Sequence, residues 1–182
     1  MLIPITVPSI GDKEIKAVTR VLRSGRIAQG PRVEDLERTF ARFCGTRYAV
    51  AVNSGTAALH TALYAAGIRP GDEVITTPFS FIATANTILM QQAKPVFVDI
   101  DQDTFNIDPK NIRRHITKKT KAIIAVDLYG NLCDYEHINQ IAKEYELVVI
   151  ADACQSVGAE YKGKRAGNFG NISAFSFYAD SP

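Results

Sequence analysis

The chain has 182 residues, 46% of them hydrophobic, and 21 basic against 19 acidic side chains give it a formal net charge of +2. That is enough apolar material for one core of ordinary domain size, and so even a charge balance gives no argument for a nucleic-acid partner. No apolar run approaches the ~20 residues of a membrane span, three cysteines do not make a secreted disulfide framework, and the N-terminus lacks the basic start of a signal peptide, so a reducing cytoplasm is the expected setting.

Residues 1–11 read as an extended, proline-bearing arm. From Asp12 to Ser24 the spacing predicts a helix, with Ile15, Val18 and Leu22 on one face and Gly25 as its C-terminal cap. A loop, Gly25–Pro31, follows. A second helix is expected from about Arg32 to Cys44, with Val33, Leu36, Phe40 and Phe43 on its apolar face and Gly45 as its stop. Tyr48–Val52 reads as an apolar strand. Asn53-Ser54-Gly55-Thr56 then turns straight into a helix that buries Leu59, Ala62, Leu63 and Ala66 and closes at Gly67. A strand running into a helix through Ser-Gly-Thr leaves backbone N–H groups and the positive end of the helix dipole facing outward, as a phosphate site requires. A plain capping turn by Ser or Thr gives the same sequence.

Gly71-Asp72-Glu73 is a turn before the strand Val74–Thr77, and Ser80–Gln91 is the next helix, with Phe81 at its start. Pro95–Asp99 is a strand. Asp108-Pro109 opens a helix with an acid cap and proline at the first position. Lys118, Lys119 and Lys121 are a solvated turn before the strand Lys121–Asp127, which leaves through Leu128-Tyr129-Gly130. Asp134 caps a helix carrying Ile138, Ile141, Ala142 and Tyr145. Leu147–Ala151 is a buried parallel strand that delivers Asp152, with Gln155 one turn further on. A glycine-punctuated loop, Gly158–Gly170, separates it from a last strand, Ile172–Phe177, that places Ser176 near its end. Strands alternating with helices predict a parallel sheet, and ligands of such sheets bind beyond the carboxyl ends of the strands. Asp152 therefore stands where an acid can meet a ligand, although a turn or cap acid would look the same. Cys154 lies beside it, but no histidine follows to make it a nucleophile.

Asp152-Ala153-x-Gln155, the glycine loop and Phe175-Ser176-Phe177-Tyr178 resemble the pyridoxal-phosphate (PLP) sugar aminotransferases of the DegT/DnrJ/StrS type. The resemblance runs through Pro8–Gly11, Ser24–Pro31, Asn53–Leu59, Pro70–Ile75, Phe81–Asn86, Pro95–Asp99 and Leu128–Gly130. It implies the α/β large domain of fold type I (aspartate aminotransferase-like), a mostly parallel sheet with flanking helices, incomplete at its C-terminus. Residues 1–30 would be an arm, helix and loop, and residues 31–182 a partial PLP-binding large domain without the C-terminal small domain. The resemblance also implies the site roles. Asp152 would meet the pyridine nitrogen and Gln155 the ring hydroxyl oxygen. Gly55, Thr56 and Ser176 would hold the phosphate, and Phe81 would stack on the ring. For Phe81 a core position, and for Ser176 an ordinary strand serine, remain open on residue type alone.

Where the family carries the lysine that bonds the cofactor, this chain has Ser181, and Lys162 and Lys164 match other family positions. The expectation is therefore an N-terminal part of an aminotransferase, without a catalytic residue and inactive as it stands. The parent would pass an amino group, with glutamate as donor, to a nucleotide-linked keto-sugar and would work as a homodimer. The alternatives are a non-catalytic homologue that binds sugar nucleotide or pairs with an active subunit, and a PLP-dependent sugar dehydratase. In the latter a histidine replaces the lysine, and Ser181 is not histidine.

Overall fold

The computed structural model describes residues 8–178. At its centre a sheet of parallel strands β1 (Glu73–Thr76), β2 (Lys94–Phe97), β3 (Thr120–Val126), β4 (Val148–Asp152) and β7 (Ile172–Ala174) runs in the order β2-β1-β3-β4-β7. Period-two alternation sorts the strand residues between two cores. Ile75, Ile123, Ala125, Val149 and Ala151 face one side, where they meet Ile138, Ile141 and Ala142 of α6 (Tyr135–Tyr145) and Ile112 of α5 (Pro109–Ile112). Val74, Ala122, Ile124, Ile150 and Ala174 face the other, against Leu59 and Leu63 of α3 (Gly55–Ala65) and Ile88 of α4 (Ala83–Met90). Both faces are covered, which is why the strands read as unbroken apolar runs rather than alternating ones.

Register brings the strand ends to a common rim. Ile75 stands opposite Ile123, Ile124 opposite Ile150, and Val126 opposite Asp152. The edge strand β2 carries Pro95, tolerated where one side of the backbone has no ladder. At the other edge, Gly170 leads into β7 so closely that an added Cβ would lie 2.8 Å from the Val149 carbonyl oxygen. Only glycine fits there.

Several expectations are corrected. Tyr48–Val52 forms no regular element and pairs with no strand among the described residues. Without a neighbouring ladder its amide at Ala51 is taken by the Glu37 carboxylate (2.8 Å), and Tyr48 and Val50 are exposed. Only Ile172–Ala174 of the last strand pairs, because the final rung, from the Ala153 N–H to the Ala174 carbonyl, is reached as β4 ends. The helix expected from Ser80 begins at Ala83. The helix opened by Asp108 is a single turn followed by a 3-10 turn at Arg113–His115. The glycine loop holds a small hairpin, β5 (Glu160–Tyr161) and β6 (Lys164–Arg165), that the sequence did not announce.

Helix α1 (Asp12–Arg23) has the expected stripe of Ile15, Val18 and Leu22, yet all three are exposed and the helix buries nothing. Its neighbour α2 (Pro31–Cys44) is anchored at its C-terminal half. The Phe40 ring meets Phe175 and Phe177 edge-on, and Gly45, in the left-handed region, ends the helix as expected. Tyr145 at the end of α6 is exposed rather than part of the core face. Residues 1–7 of the arm expected over 1–11, and Ser181, lie outside the described residues.

Candidate active site

At the start of α3 the Ser54 side chain caps the helix by accepting from the Ala57 N–H (3.1 Å). The backbone N–H groups of Gly55 and Thr56 have no acceptor among the described residues. They are the orphan donors of the first turn, at the positive end of the helix dipole. A Cβ on Gly55 would lie 3.0 Å from Ser176 Cβ and 3.1 Å from Cys154 Sγ, so the helix start and the segment after β7 are in contact only because residue 55 is glycine. Alternation explains how Ser176 comes to face Gly55. Phe175 and Phe177 point to the Phe40 side, and the residue between them points the other way. The Ser176 hydroxyl accepts from the Tyr178 N–H (3.2 Å) and keeps its own proton to donate.

Asp152 closes β4 and is 6% exposed. Its Oδ2 accepts from the Thr84 hydroxyl (2.7 Å), which in turn contacts the Ser80 hydroxyl (2.7 Å), and its Oδ1 takes a long bond from the Cys154 N–H (3.4 Å). No basic side chain pairs with it among the described residues. Burial therefore raises its pKa, against the pull of the Thr84 and Cys154 hydrogen bonds. The thiol of Cys154 is likewise pushed up by burial and then by Asp152, so it holds its proton and is no nucleophile.

Gln155 turns its Oε1 to the Tyr129 N–H (3.0 Å), which fixes the carboxamide, and its NH₂ group has no acceptor among the described residues. Tyr129 itself sits in the left-handed region (φ 52°, ψ 31°) at the exit from β3. Phe81 precedes α4 by two residues and is 69% exposed. It belongs to neither core cluster of the described residues.

The structure thus brings Gly55, Ser176 and Cys154 into contact, and places Asp152 and Gln155 on the same strand exit. Thr56 shares the helix start with Gly55, and Phe81 belongs to the turn that delivers Thr84 to Asp152. Sequence reasoning missed Thr84 and Ser80, which orient Asp152. It also missed Asp127, a second buried acid one strand away. The signal for Thr84 was present in its spacing, one helical turn beyond Phe81 on the element expected to approach the site.

A parallel sheet with this rim, a helix start facing a strand-end serine, and a buried acid on the neighbouring strand define the large domain of a PLP-dependent aminotransferase. The chain belongs to the DegT/DnrJ/EryC1/StrS aminotransferase family, whose model matches residues 8–182. It is 47% identical over 173 residues to the UDP-2-acetamido-2-deoxy-3-oxo-D-glucuronate aminotransferase of Pseudomonas aeruginosa, covering 95% of this chain and 48% of that protein. The aminotransferase from Psychrobacter cryohalolentis superposes with a TM-score of 0.93 at 42% identity, over 96% of this chain and 45% of that one. A Streptococcus pneumoniae protein in its PLP form gives 0.93 at 36% identity, over 98% and 50%. The chain spans about half the length of the curated relatives it matches, 45%, 46% and 48% in three of them. Among the described residues no helix is long and apolar enough to cross a membrane, and no cluster of His, Cys, Asp and Glu is arranged to hold a metal ion.

Proposed function

We propose that this chain is the cofactor-binding part of an aminotransferase that converts a nucleotide-linked keto-sugar to an amino-sugar, with glutamate as amino donor and a second copy of the protein completing the site. In this reading residues 31–182 belong to the PLP-binding domain and residues 1–30 precede it. The reading rests on one observation above the others: Gly55 is pressed against Ser176 at a helix start whose Gly55 and Thr56 N–H groups have no acceptor among the described residues, while the Asp152 carboxyl is buried with no basic partner among them. The first is a cradle that a Cβ would fill, and the second a carboxylate still owed a positive partner.

Bound PLP supplies an electron sink, most effective when its pyridine nitrogen is protonated. The chain's part is to bind and orient. The Gly55 and Thr56 N–H groups and the Ser176 hydroxyl donate to the phosphate. The Asp152 carboxylate accepts from the ring N–H and keeps that proton in place, with Thr84 fixing its direction. The NH₂ group of Gln155, aimed by Tyr129, donates to the ring hydroxyl oxygen. Phe81 covers a ring face and excludes water from it.

Calorimetric titration with pyridoxamine 5′-phosphate and with phosphate-free pyridoxamine tests this. One phosphorylated ligand per chain, competed by inorganic phosphate and weakened by Asp152→Ala, is expected. Equal affinity for the phosphate-free compound would sink the reading. After incubation with PLP and borohydride reduction, peptide mapping should find only scattered, low-level labelling of lysines. Stoichiometric labelling of one lysine would overturn the reading of Ser181 as the position of a replaced lysine.

A further inference from the structure

Asp127 follows β3 and is 1% exposed. Its backbone N–H donates to the Asp152 carbonyl (3.0 Å), so the two acids leave neighbouring strands at the same level of the rim. One carboxyl oxygen, Oδ1, accepts both the Cys133 N–H (2.9 Å) and the Tyr135 hydroxyl (2.9 Å). The other, Oδ2, is buried with no partner among the described residues. No Lys, Arg or His bonds to either acid among those residues, and the titratable groups facing Asp127 are Cys133 ahead of α6, Tyr135 at the first position of α6 and Asp152 on β4. Both of those neighbours are themselves held neutral by burial.

Two buried carboxyls with no cation between them cannot cheaply carry two charges. With one oxygen doubly engaged and the other without a partner among the described residues, the neutral acid costs less than the ionised one, which would leave a buried charged oxygen unsolvated. We propose that Asp127 is a positioning residue for the cofactor acid: it keeps a proton at neutral pH, so that Asp152 alone carries the negative charge presented to the ring nitrogen. The burial that pushes Asp127 up to about 7, helped by the nearby Asp152, agrees with this geometry. Through the Cys133 and Tyr135 bonds the same carboxyl also ties the connection after β3 to the strand end, and that connection carries Tyr129, which holds Gln155. The inference rests on the proposed PLP site.

The test has two arms. In the cofactor-free protein, ¹³C carboxyl chemical shifts followed against pH should show the coupled pair titrating in two steps, one of them near neutrality. Asp152→Asn should lower the remaining step, because a like charge is removed. If every aspartate of the wild-type protein titrated below pH 5, the proposal would be overturned without any variant. The second arm measures the pH dependence of pyridoxamine 5′-phosphate affinity. Asp127→Asn, an isosteric mimic of the neutral acid, should keep affinity at pH 6 within two-fold and abolish the change in affinity that the wild type shows near pH 7. A ten-fold loss at pH 6 would mean that Asp127 acts as an anion and would overturn the proposal. Should the ligand fail to bind the wild type at all, the PLP reading falls, while the carboxyl titration still decides whether the proton is held.

Discussion

Glu73 and Asp152 are both nearly buried acids of the same sheet, at opposite ends of its strands, and they are treated in opposite ways. Glu73 opens β1 at the amino end. Its two oxygens accept from the Thr117 hydroxyl (2.6 Å) and the Lys94 ammonium (3.2 Å). The Thr117 hydrogen bond lowers its pKa, with Lys94 and Lys119 assisting against burial. At the carboxyl end, Asp152 and Asp127 receive hydrogen bonds but no cation among the described residues, and burial raises both. An acid whose partners come from its own chain is finished by folding. One without a cation has been paid for elsewhere in the structure and is stabilised only when a positive group arrives.

The largest effect should come from breaking the ligand-facing member. Asp152→Ala should weaken pyridoxamine 5′-phosphate binding by about 1.5–3 kcal/mol, the worth of a hydrogen bond to a charged group. In the complete enzyme it should depress amino transfer severely. Asp152→Asn should leave the thermal stability of the cofactor-free protein unchanged or raised, since it removes an uncompensated buried charge. A large loss of stability would make Asp152 a structural acid like Glu73.

Gly55→Ala ranks next. The new methyl must displace Ser176 or Cys154, and overpacking of this kind costs about 1–3 kcal/mol. Phosphate-bearing ligands should lose more affinity than phosphate-free ones, and a titration of both would separate a cradle from simple close packing.

The pH dependence of stability sharpens the contrast by sign. Asp127, raised from an ordinary 3.8 to about 7, makes the folded cofactor-free protein hold a proton that the unfolded chain has released. Stability should therefore fall as pH rises from about 4 to about 7, with the penalty complete above that. Glu73, lowered from 4.5, contributes stability above its ordinary value that is lost as pH falls through its depressed one. Denaturant unfolding across that range should show the slope, and Asp127→Asn should flatten its neutral part. A wild-type curve rising toward pH 7 would count against a neutral Asp127.

The smallest effect is expected from Glu73→Gln. Its Lys94 partner is exposed and screened, so the pair is worth about 1 kcal/mol or less. Ligand affinity should not change, and a coupled loss of affinity would blur the distinction between the two ends.

Much of this was legible in the residues. Apolar runs with no polar alternation at 122–126 and 147–151 marked strands buried on both faces, and glycines at 45 and 67 marked helix ends. The order of motifs from Pro8 to Tyr178 identified the family and, with it, the candidate site residues. Local chemistry suffices there because caps, breakers and buried runs act within a few residues of themselves. It failed where an outcome depends on a neighbour distant in sequence. Tyr48–Val52 has the composition of a strand, but a strand is a pairing, and no described strand lies beside it. Helix α1 has an apolar stripe, and no described element covers it. The pairing of Thr84 with Asp152 across 68 residues, the contact of Gly55 with Ser176, and the isolation of two acids from every cation among the described residues were decided only when the sheet brought its strand ends together. Burial and the absence of a counter-charge belong to the packed molecule, and these make Asp152 and Asp127 differ from Glu73.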